Sequence, residues 1–145
     1  MRLDPLTILV PQFNAGERIP VSRNKLSKIY LQNWGVSLLQ DLMTVNPASV
    51  DLKVQRFLAL SATAFGKLEP QLRKQAQQIK KEKISTAFYA KEVAFEDGSI
   101  RVTGDFKTYF GRDKKPITTS KTYRLSYMRA EHGVLIVTAL KEITP

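Results

Sequence analysis

The hydrophobic period changes once along the chain, near Ser85, and this change limits the possible folds more than any other feature. Downstream of it apolar and polar residues alternate, the period of a strand with one buried face. The clearest segment is "GSIRVTGDFKTYF". Ile100, Val102, Gly104, Phe106, Thr108 and Phe110 share one face, and Arg101, Thr103, Asp105, Lys107 and Tyr109 share the other. The preceding strand, "STAFYAKEVAFE", ends at Asp97-Gly98, a pair suited to the left-handed positions of a tight hairpin. Gly104 in mid-strand predicts a bend or bulge. A third strand is expected around Thr118–Arg129, with Tyr123, Leu125 and Tyr127 on one face. A turn at Glu131-His132-Gly133 leads to "VLIVTAL", whose unbroken apolar run predicts burial on both faces.

Upstream the spacing is helical. Residues 1–21 carry Pro5, Pro11, Pro20 and Gly16 and are expected to form an extended lead-in. Ser22 is the expected cap of a first helix with Leu26, Ile29, Tyr30, Trp34, Leu38 and Leu42 on its apolar face. Gly35 in that helix implies close packing against another backbone. Val36, Leu39 and Met43 exceed what one stripe needs, and either pack under the lead-in or form a contact face. Asn46-Pro47 restarts a helix, with proline where a missing N–H is harmless. Val50, Val54, Phe57, Leu58 and Phe65 face inward, and Gly66 ends it. A third helix opens at Glu69-Pro70 and turns Leu72, Ala76, Ile79 and the stem of Lys83 inward. The expected architecture is α+β. Its helices pack on the concave face of a curved four-stranded antiparallel sheet, within one domain spanning residues 22–145.

Chemistry is harder to find. The chain has no cysteine and a single histidine, His132, in a turn, so a thiolate or multi-histidine metal site is not expected. Neither a phosphate-cradling glycine loop nor a nucleophile elbow occurs. No catalytic residue or cofactor is expected. The predicted inward positions are apolar and supply no buried acid. A net charge of +10 admits nucleic acid, an anionic surface or acidic partners. Residues 67–83 hold six cations against two carboxylates. Tyr109 beside Arg112 is the one pairing of base and aromatic ring that a nucleic-acid site would use. No specific nucleic acid is expected, and the basic helix reads as solvated surface. The outer strand face, with Tyr89, Lys107 and Tyr109 and the loop cations Arg112, Lys114 and Lys115, is the candidate protein interface. The rival readings are a small cavity enzyme on the same fold and a basic nucleic-acid-binding module. No apolar run has the length a membrane helix needs.

The order of these elements and certain residues resemble the TraE family of conjugative transfer proteins. The shared pattern is an aromatic-rich strand after a basic helix, then Val102-x-Gly104, Lys107-Thr108-Tyr109-x-Gly111, a Lys115-Pro116 loop, Tyr123 and Gly133. It extends upstream to the "VNPASVD" helix start and covers roughly residues 20–142. The resemblance implies a cystatin-like, nuclear-transport-factor-like periplasmic domain of a type IV secretion system. It further implies an inner-membrane anchor through an upstream helix, which this sequence lacks. It implies self-association as a dimer or higher oligomer, contacts with other channel subunits, and an assembly role without catalysis. Effector-translocation relatives carry Asn-Pro-x-Gly before the last strand, where this chain has Ala130-Glu131-His132-Gly133.

Overall fold

The computed structural model describes residues 23–62, 67–111, 115–130 and 133–143. Among these residues three helices, α1 (Arg23–Met43), α2 (Val50–Leu58) and α3 (Leu68–Glu82), precede four strands. These are β1 (Ile84–Glu96), β2 (Ser99–Phe110), β3 (Ile117–Arg129) and β4 (Leu135–Ile143). The strands form an antiparallel meander in the order β1-β2-β3-β4, and the helices cover one face. The lead-in, its Ser22 cap, Phe65, Gly66 and His132 lie outside the described residues.

Side-chain alternation along β2 places Ile100 and Val102 wholly inside, facing Leu125 of β3 and Val137 of β4. Burying each of these side chains stabilises the fold by about 1.5–3 kcal/mol. α1 lies across them, but rotated from the expected stripe. Its buried line is Tyr30, Leu31, Gly35, Leu39, Leu42 and Met43, while Trp34 and Leu38 sit at the margin. Leu39 and Met43 are therefore core residues rather than surplus. Gly35 selects this rotation, because a Cβ there would run into Ile100 Cδ1 and come within 3.6 Å of Leu125. The close approach is to side chains of the sheet, not to another backbone.

Gly104 marks the bend predicted for it, although the extra residue belongs to its partner strand. Ala90 pairs with Gly104 and Glu92 with Thr103, leaving Lys91 as a bulge in β1. A Cβ on Gly104 would meet the Tyr89 carbonyl oxygen and the Ala90 Cα at 2.8 Å. A second bulge, at Thr138, lies between the pairs Ser126–Ala139 and Tyr127–Val137. It turns both Val137 and Leu140 inward. β4 is not buried on both faces as its apolar run suggests. It is an edge strand, and Val134, just before it, and Ala139 are exposed.

Both sheet edges are partly occupied by chain from the helical half. Val45 and Thr86 exchange two backbone hydrogen bonds of 3.1 and 2.8 Å along β1. Thr44 Oγ1 accepts from Phe88 N, Gln40 Oε1 accepts from Ala90 N, and the Thr86 hydroxyl donates to Met43 O at the end of α1. On β4, Val137 N donates to Leu60 O and Val137 O accepts from Ala62 N. This bridge ends α2 at Leu58, short of the expected Gly66, and the Ser61 hydroxyl caps the Leu58 carbonyl at 2.7 Å. Asn46 caps as expected, its Oδ1 accepting from the Ala48 and Ser49 amides at 2.9 Å while Ser49 Oγ accepts from Asn46 N, but Pro47 lies in a turn and the helix itself begins at Val50. In α3, Leu68, Leu72 and Ala76 are buried. Lys83 does not turn inward; it is the exposed left-handed cap of that helix, at φ 55°.

On the outer face of the β1–β2 hairpin, Glu96 gathers three donors. Ser99 Oγ and Arg124 Nε donate to its Oε1 at 3.1 and 3.2 Å, and Arg101 Nε lies 3.0 Å from Oε2 as an ionic contact. Desolvation raises the Glu96 pKa, but the Ser99 hydroxyl and both guanidinium groups lower it further, so it falls below its ordinary value.

Three measurements follow from this architecture. Gly104→Ala is expected to destabilise the protein by about 1–3 kcal/mol in chemical denaturation, because the bulge backbone opposite cannot retreat. Lys83→Gly is expected to stabilise it by about 1 kcal/mol, and Lys83→Ala to give no such gain, since only glycine occupies the left-handed region without strain. A carboxyl with a lowered folded pKa contributes stability above its unfolded value of about 4.3, and that contribution is lost as pH falls through the folded value. The difference in melting temperature between wild type and Glu96→Gln should therefore be largest above about pH 5 and narrow toward about pH 3.

Candidate interaction surfaces

Among the described residues, the outer face of the sheet has no helix over it, because α1, α2 and α3 pack on the opposite side. Strand parity places Tyr89, Asp105, Lys107 and Tyr109 on this face, with Thr118, Ser120, Thr122 and Arg124 beside them on β3. Tyr89 is 53% exposed, a large aromatic surface left to solvent. Lys107 Nζ lies 5.8 Å from the centre of its ring, and Lys91, displaced outward by the bulge, pairs with Asp105 at 3.1 Å. Thr103 and Thr122 join β2 to β3 by a 2.8 Å hydroxyl contact. Cation-on-ring and threonine pairs across adjacent strands stiffen a surface and lower the entropy lost when it binds.

The structure thus brings Tyr89 and Lys107 together. Tyr109 shares the face but sits half-buried opposite Ser85, four residues from the Tyr89 partner Asp105, roughly 13 Å along the strand. Lys115 is exposed ahead of β3. Arg112 and Lys114 lie outside the described residues.

On the helix side, a groove of about 320 Å³ separates α3 from the lower half of the sheet. Its floor is Phe106, Thr108 and Phe110 of β2 with Lys121 and Tyr123 of β3; its wall is Gln71, Gln75, Gln78 and Glu82 of α3. Lys121 Nζ lies 4.2 Å over the Phe106 ring and 3.5 Å from Glu142 Oε1. Phe106 therefore does not fill the space, and the inward positions are not all apolar. Lys121 was legible in principle, being two residues before the inward Tyr123 at strand period. The inward turn of Glu142 was not, because the Thr138 bulge resets the alternation of β4. Burial, with the Glu142 carboxylate adding to it, pushes the Tyr123 phenol well above its ordinary range, so the hydroxyl stays neutral. Burial also raises Tyr30 and Tyr127, against an opposing pull from Arg129. None of these shifts moves a group toward neutral pH, where general acid–base catalysis operates. Among the described residues no cluster of His, Asp or Glu is arranged to hold a metal ion, and no helix is long and apolar enough to cross a membrane.

The fold is shared with two solved structures. One is the Agrobacterium tumefaciens VirB8 protein, at 11% identity and a TM-score of 0.60 over 86% of this chain and 96% of that one. The other is an IcmL-like type IV secretion system protein from Legionella pneumophila, at 15% identity and a TM-score of 0.57 over the same shares. No curated protein matches the sequence. The family model described as TraE protein matches residues 5–142, which takes in every helix and strand above except the last residue of β4. With this match over nearly the whole of the described fold, the chain belongs to the TraE family.

Proposed function

We propose that this protein is a scaffold of a conjugative type IV secretion machine. It acts by associating with copies of itself and by contacting other channel subunits, on the periplasmic face of the inner membrane. The reading rests on the family match over residues 5–142. Within the molecule, the outer face at Tyr89 and Lys107, free of helices among the described residues, supports it. That surface has the makings of a protein contact: an exposed aromatic anchor, a cation already placed over its ring, and a rigid polar surround. The groove supports catalysis less well. Its lysine and glutamate neutralise one another, and its buried phenol holds its proton. We propose accordingly that the protein has no enzymatic role. A membrane tether would supply much of the effective concentration for self-association, so the isolated chain should associate weakly.

Two measurements address this reading. In a conjugative system deleted for its own copy, the Tyr89→Ala/Lys107→Glu variant is expected to lower DNA transfer at least about tenfold. Its melting temperature should stay close to that of the wild type, and unchanged transfer would remove the outer face from the proposal. Light scattering over a concentration series should show oligomers only at the high end; a salt-resistant oligomer at nanomolar concentration would contradict the tether.

A further inference from the structure

Among the described residues, the positive charge is unevenly paired. Most cations outside α3 have a local partner, although Lys115, Arg129 and Lys141 are exposed and make no ion pair among these residues. Lys53 and Arg56 meet Asp41, Arg101 and Arg124 meet Glu96, and Lys91 and Lys121 meet Asp105 and Glu142. Lys28 and Lys107 lie over the rings of Phe95 and Tyr89.

α3 differs. At 100° per residue, Lys74 and Lys81 point away from the buried line of Leu68, Leu72 and Ala76, and Lys67, the N-cap about two turns before Lys74, continues their row. All three are exposed and make no ion pair among the described residues. Arg73 and Lys80 flank the row, held by Glu69 and Asp51 at 3.6 and 2.7 Å. The remaining carboxylate of the helix, Glu82, lines the groove on another side and accepts from Gln78.

The character of this face selects its partner. It carries no aromatic ring, whereas binding of single-stranded nucleic acid relies on stacking. It carries no apolar anchor, and lysine is depleted where proteins bury surface against each other. A row of hydrated point charges on a helix face instead matches a sheet of anionic headgroups, which requires neither shape nor stacking.

We propose that the Lys67–Lys74–Lys81 face of α3 docks on the anionic phospholipid surface of a membrane. This does not depend on the secretion role. The test is sedimentation of the full chain with mixed phosphatidylglycerol–phosphatidylcholine vesicles and with pure phosphatidylcholine vesicles. It is run at low ionic strength and again at about 1 M salt, where the Debye length falls to about 3 Å. The wild type is expected to bind the anionic vesicles alone and to be released by salt. Lys74→Glu/Lys81→Glu is expected to bind roughly 30-fold more weakly or worse, from the known contribution of each basic residue near such a surface. Lys28→Glu/Lys141→Glu, with the same change in net charge, should stay within a few-fold of wild type. Lys74→Gln/Lys81→Gln serves if the charge reversal perturbs folding in circular dichroism, and should show a smaller loss. Equal weakening by both reversals would assign binding to net charge. Failure of the wild type to bind, or loss of duplex DNA binding in the α3 variant with vesicle binding intact, would also overturn the proposal.

Discussion

The contact of Gly35 with Ile100 sets the geometry of the molecule. α1 carries apolar residues around most of its circumference, so composition alone does not decide which side meets the sheet. The single position without a Cβ lies against a fully buried isoleucine, and a larger residue there would have to displace the Ile100 terminal methyl inside the core. Once that contact is made, Leu39, Leu42 and Met43 fall into the core, and the end of α1 arrives beside β1. Dense interiors transmit such constraints because neighbouring side chains have little room to move.

The position of α1 also closes one sheet edge. Gln40 and Thr44 satisfy β1 amides, and Val45 pairs with Thr86, so the first strand offers little unpaired backbone where it meets the helices. The chain after α2 does the same at Val137. Exposed strand edges invite uncontrolled pairing with other chains. With both edges partly occupied, the surfaces left for recognition are side-chain surfaces: the outer face around Tyr89 and Lys107, the groove under α3, and the basic face of α3 itself. Each differs in chemistry, which suits the several contacts proposed above.

Much of this could be read from residue order. The hairpin at Asp97-Gly98, the alternation of β2, the inward row of β3 and the capping turn at Asn46 all rest on local rules of turn, pleat and cap, which act over a few residues. The placing of Tyr89 and Lys107 on the outer face followed from the same pleat. The early end of α2 was not legible, because a strand more than 70 residues away in sequence competes for its backbone. Nor was the ion pair of Lys121 with Glu142, which depends on a bulge in the neighbouring strand.

The amino-acid sequence by itself determined the α+β class, the four-strand meander and the membership that its spaced motifs announce, since periodicity and turn chemistry are properties of short stretches. Only the tertiary structure decided the rotation of α1, the edge position of β4, the groove and the concentration of unpaired charge on α3. Those depend on which distant groups come within a few ångströms of each other, and packing resolves that only when the whole chain is assembled.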